Sequence, residues 1–332
     1  MAQADGTMIK ERMGYYKRIS QAYIGGRVSH ITFWRERPAE NPNCSYDTLG
    51  EYYMTFEDKA RYEGPFDGGG VPLLDYRGKI GKQYNPIATA QYGLANWNKY
   101  KSTGDEGYIE KAMRQADWLI ENLAENQYGV PVWNHNFDWE YREMLRAPWY
   151  SGLAQGNGIS LLARMADETG EEKYRQAAEK AYLSMTLTMD KGGVIYMDEY
   201  GNPWIEEVIV NPPTHILNGF LWALWGVWDF YLLTERSEVK LDFDRFVNTL
   251  VKNLQHYDAG YWSLYELAGL RLKMLASSFY HSLHCVQLRV TAAITGNNIF
   301  LEYAERWEGY SGSSINRSRA LVEKALFKAV HY

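Results

Sequence analysis

Only two cysteines, Cys44 and Cys285, occur in 332 residues, and they share no CxxC spacing. Their scarcity excludes a disulfide framework and a thiolate zinc site, and it suits a reducing compartment. A long basic run is also missing. With a net charge of −6 and a pI near 5.7, neither nucleic acid nor an anionic membrane is the expected partner. No segment reaches the roughly 20 uninterrupted apolar residues of a membrane span, and the opening MAQADGTMIKERMGYYKRIS lacks the apolar core of a signal peptide. The expectation is a cytoplasmic protein without a membrane span.

What the chain has in excess is aromatic residues, 15% of the total, including 27 Tyr and 12 Trp. Flat rings with polar tips stack on the apolar faces of sugars while still hydrogen-bonding, so the composition points to carbohydrate. Large helical cores also use many rings. The 46% of apolar side chains suffice for a large core, in one big domain or two ordinary ones.

Self-similarity decides the fold class. Four segments, beginning near Ile87, Tyr150, His215 and Tyr280, recur about every 65 residues. Each opens with a helical pattern and reaches a turn at Thr103-Gly104, Thr169-Gly170 or Thr295-Gly296, with Thr234-Glu235 in the corresponding place. Glycine there can take the left-handed conformation that ends a helix. A second, amphipathic helix follows each turn, as in EGYIEKAMRQADWLIENL and FDRFVNTLVKNLQ. The unit is a helical hairpin whose first helix is nearly all apolar. Such hairpins make two layers and close best as an α/α barrel, or toroid, with an open solenoid as the alternative. The connections between them are long and carry strand-like runs, which predicts short β-hairpins at the cleft end. The expected division is an N-terminal extension over 1–80 packing on the barrel and a barrel domain over 81–332.

Polar residues recur at one level of the first helices: Gln91, Gln155, Asn218, and His281 with His284. A buried amide must find partners, so this ring is either a structural network or a ligand surface, and its position beside long loops favours the surface. His215 stands at the entry of the third hairpin. His281 and His284, three apart, could share a metal, but no HExxH pattern or nearby carboxylate completes such a site, and no metal is expected. The connection before the third hairpin carries Glu206 and Glu207, which strand alternation would turn to opposite sides. The connection before the fourth carries Tyr265.

YNPIATAQYGLANW, APWYSGLAQGNGISLLAR, PPTHILNGF and FYHSLHCVQL together resemble the C-terminal catalytic domain of the D-glucuronyl C5-epimerases, over about Gln83 to Leu288. The resemblance implies an α/α-barrel enzyme, an isomerase, that inverts C5 of glucuronate in heparosan-like polysaccharides without a cofactor. It places the catalytic groups on Tyr265, Tyr280 and Glu207. It also assigns Trp149, Tyr150, Gln155 and Asn218 to sugar or carboxylate contact, and it implies a homodimer. One departure stands out: Val208 follows Glu207 where the family has an active-site Tyr. A lyase or a hydrolase on uronic-acid glycans, or an inactive glycan-binding module, are the alternatives. For a hydrolase the available loop carboxylates are Glu207, Asp138 and Glu140.

Overall fold

The computed structural model describes residues 37–76 and 78–331. Within them the helices come in pairs: α1 (Pro86–Thr103) with α2 (Glu106–Glu121), α3 (Gly152–Thr169) with α4 (Glu172–Tyr182), α5 (Leu217–Thr234) with α6 (Ser237–Asn253), and α7 (Ser278–Thr295) with α8 (Asn298–Gly312). A further helix, α9 (Ser314–His331), closes the described chain. The fold is thus mainly helical.

Local chemistry sets the helix ends. Asn85, Ser151 and Ser277 accept backbone N–H groups from the first turns of α1, α3 and α7, relieving donors that a helix start leaves open. Gly104, Gly170 and Gly296 end the same helices in the left-handed conformation. At the corresponding position Glu235 takes that conformation without glycine, its N–H donating to Tyr231 O at 2.7 Å.

Burial separates the two layers. α3 is buried without interruption from Gly152 to Ala166, and α5 from Leu217 to Phe230, whereas α2, α4 and α6 bury one stripe each. In the inner layer α3 lies between α1 and α5, with α7 on the far side of α5. Glycines let α3 and α5 touch backbone to backbone, since a methyl at Gly156 would overlap the Ala223 Cα and one at Gly226 the Gly156 carbonyl. A buried ion pair, Arg164 to Asp229 at 2.7 Å, ties the same two helices together.

Of the extension expected over 1–80, residues 1–36 lie outside the described part. The segment that follows packs into the core of the hairpins, where Tyr52 stacks on Trp222 and Tyr53 meets Trp225 edge-on. Its backbone is pinned by Asn98, which accepts the Tyr52 N–H and donates to Met54 O. The Tyr53 hydroxyl donates to Asp229 at 2.6 Å.

The connections hold short antiparallel strands. β1 (Leu73–Asp75) pairs with β2 (Lys82–Tyr84), β4 (Pro131–His135) with both β3 (Leu123–Glu125) and β7 (Trp149–Tyr150), β5 (Trp139–Glu140) with β6 (Met144–Leu145), and β8 (Ile195–Met197) with β9 (Pro203–Ile205). They meet at the start of the inner helices. Gly152 N donates to Glu206 O and Leu217 N to Tyr265 O, so three successive connections converge on one end of the inner layer.

Candidate active site

Glu206 and Glu207 follow β9 and diverge. Glu206 is fully buried and accepts the backbone N–H of Thr214 and of His215, while the His215 ring lies against it with Nδ1 at 2.5 Å. That grip holds His215 at φ 50, in the left-handed region that non-glycine residues seldom enter. Tyr257 caps the same turn by donating to His215 O, and Trp204 stacks on the ring. Glu207 turns the other way. Its Oε2 accepts from Asn218 Nδ2 at 3.2 Å, and its side chain lies so close to Gly219 that any β-carbon there would overlap the carboxylate. Burial, reinforced by Glu266 and Glu206 and opposed by the Asn218 bond, pushes the Glu207 carboxyl up to about 8. At neutral pH it is mostly the neutral acid, able to donate a hydrogen bond.

Tyr265 sits in the irregular connection before α7, fixed through backbone bonds to Met274 O and from Leu217 N. Tyr280 lies in the first turn of α7, and the two rings meet edge to face with centroids 4.9 Å apart. Burial first, then the neighbouring Glu207, raises the Tyr265 phenol well above its ordinary value. Val208, Leu145, Met274 and Trp139 give these groups an apolar wall. Two connections and the helices that follow them, α5 and α7, therefore bring Glu207, Tyr265, Asn218 and Tyr280 together, and Trp149, from a third connection, joins the same cluster.

Several partners here were not legible in the sequence. Glu266 is 3% exposed and accepts from the Tyr141 hydroxyl and from the Arg142 guanidinium. Only its place after Tyr265 could have flagged Glu266. Arg142 and Tyr141 come from the β5–β6 turn more than a hundred residues away.

Other expected ligand residues are held differently. His281 is held on both sides: its Nδ1 accepts from the Ser263 N–H, so Nε2 carries the proton and donates to Trp307 O at 2.8 Å. The ring stacks on Trp262 and both nitrogens are engaged. His284 is likewise fully buried, with Nδ1 on Ser263 Oγ. Gln91 and Gln155 are also fully buried, Gln91 donating to Asn157 Oδ1. Tyr150 is half-buried and reaches toward Gly193 O, while the Trp149 indole donates to Phe137 O and stacks on His135. Asp138 and Glu140 are exposed, Asp138 being tied to Arg146 and the Ala147 N–H. Among the described residues no group of three or more His, Cys, Asp or Glu could hold a metal ion, and no helix is long and apolar enough to cross a membrane.

Comparison with known proteins supplies a family for this geometry. A sequence profile of the D-glucuronyl C5-epimerase C-terminus matches residues 125–309, more than half of the chain, a stretch that includes Glu207, Tyr265 and Tyr280. The chain belongs to the D-glucuronyl C5-epimerase family. A D-glucuronyl C5-epimerase of Caenorhabditis elegans is 32% identical over 212 residues, which cover 59% of this chain and 34% of that protein. This C5-epimerase family member thus spans about a third of that relative's length. An uncharacterised protein of Methanocaldococcus jannaschii is 27% identical over 244 residues, 69% of this chain and 78% of its own. Among solved structures, a family 76 glycoside hydrolase from a bovine Bacteroides thetaiotaomicron strain superposes with a TM-score of 0.51 at 14% identity, over 73% of this chain and 50% of that one. That likeness concerns the fold alone, an arrangement of helical hairpins.

Proposed function

We propose that this protein inverts C5 of D-glucuronate residues in an unsulfated, heparosan-like polysaccharide or oligosaccharide, within a closed α/α toroid and as a homodimer. The observation that carries the reading is the meeting of Glu207 and Tyr265, from two separate connections, with Tyr280 in the first turn of α7. A hydrogen alpha to a carboxylate is weakly acidic, so inversion needs one group to remove it, another to stabilise the enediolate, and an acid on the opposite face to return a proton. Two phenols supply the two proton carriers. Tyr280, as phenolate, takes the C5 hydrogen while the electron pair moves into the carboxylate, and Tyr265, whose phenol burial keeps protonated, delivers its proton to the opposite face. Glu207, neutral near pH 7, donates a hydrogen bond to the enediolate oxygen. Substrate and product have the same oxidation level, so the balance needs no external oxidant or reductant.

A lyase shares the first step and then expels the C4 oxygen. The neutral Glu207 favours this second reading, since a departing oxygen must be protonated. Proton NMR of a glucuronate polymer after incubation separates the two. Iduronate signals support the epimerase, absorbance from a new C4–C5 double bond supports the lyase, and an unchanged polymer overturns both.

A further inference from the structure

Helix α9 lies wholly beyond residue 309, where the family match ends, yet it returns to the candidate site. Phe327 is 2% exposed and belongs to the apolar cluster around Tyr265. One turn earlier Lys324 is 6% exposed, donates to Leu275 O at 2.5 Å, and holds its Nζ 5.7 Å from the centre of the Tyr265 ring. No carboxylate forms an ion pair with it among the described residues. Glu266, the acid beside it, is already occupied by Arg142 and Tyr141.

A buried ammonium resting on one carbonyl is costly, because desolvation is not repaid by an opposite charge. Burial, followed by the charge of Lys328 and opposed by Glu266, accordingly lowers Lys324 to about 7. Three donors sit on a flexible four-carbon stem, and one is used. An anion arriving next to Tyr265 would find the remaining two.

We propose that Lys324 receives the carboxylate of a hexuronate, so that the C-terminal helix completes the active site. The inference rests on the uronate reading above and names the residue that tells an acidic sugar from a neutral one. The placement suits the chemistry. A cation on the carboxylate withdraws charge as the C5 hydrogen leaves, and Lys324 stands beside Tyr265, one of the two proton carriers.

Calorimetric binding of an unsulfated glucuronate oligosaccharide and of its carboxyl-reduced counterpart tests this, in the wild type, K324Q and K324R. The expected result is a wild-type preference for the acid. It falls roughly tenfold or more in K324Q, as a lost charge-assisted hydrogen bond requires, is largely kept in K324R, and leaves affinity for the neutral sugar unchanged. Melting curves guard against misfolding, since removing an unpaired buried charge should not lower stability. Equal discrimination by K324Q and wild type overturns the proposal, as does a loss confined to kcat. If the wild type binds the acid through Lys324 but inverts nothing, the epimerase reading fails and this inference stands. If it inverts C5 and K324Q keeps the wild-type KM, the reverse holds.

Discussion

Glu207 shows most directly how position sets chemistry. A carboxyl raised to about 8 in the folded state, against about 4.5 unfolded, favours folding fully below pH 4.5, and that contribution is lost as pH rises through 8 and the buried charge must form. Glu207→Gln removes the titration. Its melting temperature should match the wild type near pH 4 and exceed it near pH 9, and an equal difference at both pH values would count against the assignment. The same variant should lose turnover by about 10² to 10⁴. Gly219 belongs with it, because a side chain there overlaps the carboxylate. Gly219→Ala should lower kcat while the circular dichroism spectrum is retained, and wild-type activity would show that Glu207 needs no fixed place. At this scale the sequence pointed to Tyr265, Tyr280 and Glu207 because each sits in a recognisable motif. How His281 is held was not legible there, since its partners Ser263 and Trp307 are set by folding and not by spacing. Lys324 was hidden similarly, as one of several charges on an amphipathic helix.

Among the elements, the four hairpins were legible from the repeat and its turn residues, down to Glu235 taking the place of glycine. The strands are two to five residues long, so the sequence indicated that the connections carry strands without giving their pairing. What no periodicity could show is how closely α3 and α5 approach. Their backbones touch at Gly156 and Gly226. Gly226→Ala should therefore force the helices apart at a cost of about 1–3 kcal/mol, read as a lower denaturant midpoint at unchanged slope. A midpoint equal to that of the wild type would mean that the contact is slack.

At the level of the whole molecule, Arg164 and Asp229 join the inner helices to the N-terminal segment. Arg164 Nη1 donates to Asp229 Oδ2, Nε donates to Gly50 O, and the Tyr53 hydroxyl donates to Asp229 Oδ1. Both charged side chains are fully buried, so truncating one leaves the other unpaired. Asp229→Ala should cost about 3–5 kcal/mol in chemical unfolding, and a loss below about 1 kcal/mol would contradict this. The sequence suggested an extension packed on a barrel, but not that residues 50–56 supply rings to the core between the hairpins, because an aromatic-rich segment carries no sign of its partner. All of these features hold three connections at one end of the inner layer, where the chemistry is proposed. Incubation with a glucuronate polymer in deuterium oxide, followed by NMR at C5, tests that proposal most directly. The wild type should replace the C5 hydrogen with deuterium and form iduronate, and Tyr265→Phe and Tyr280→Phe should each abolish inversion. A C5 hydrogen that survives prolonged incubation with the wild type, or undiminished inversion in either variant, would contradict the account.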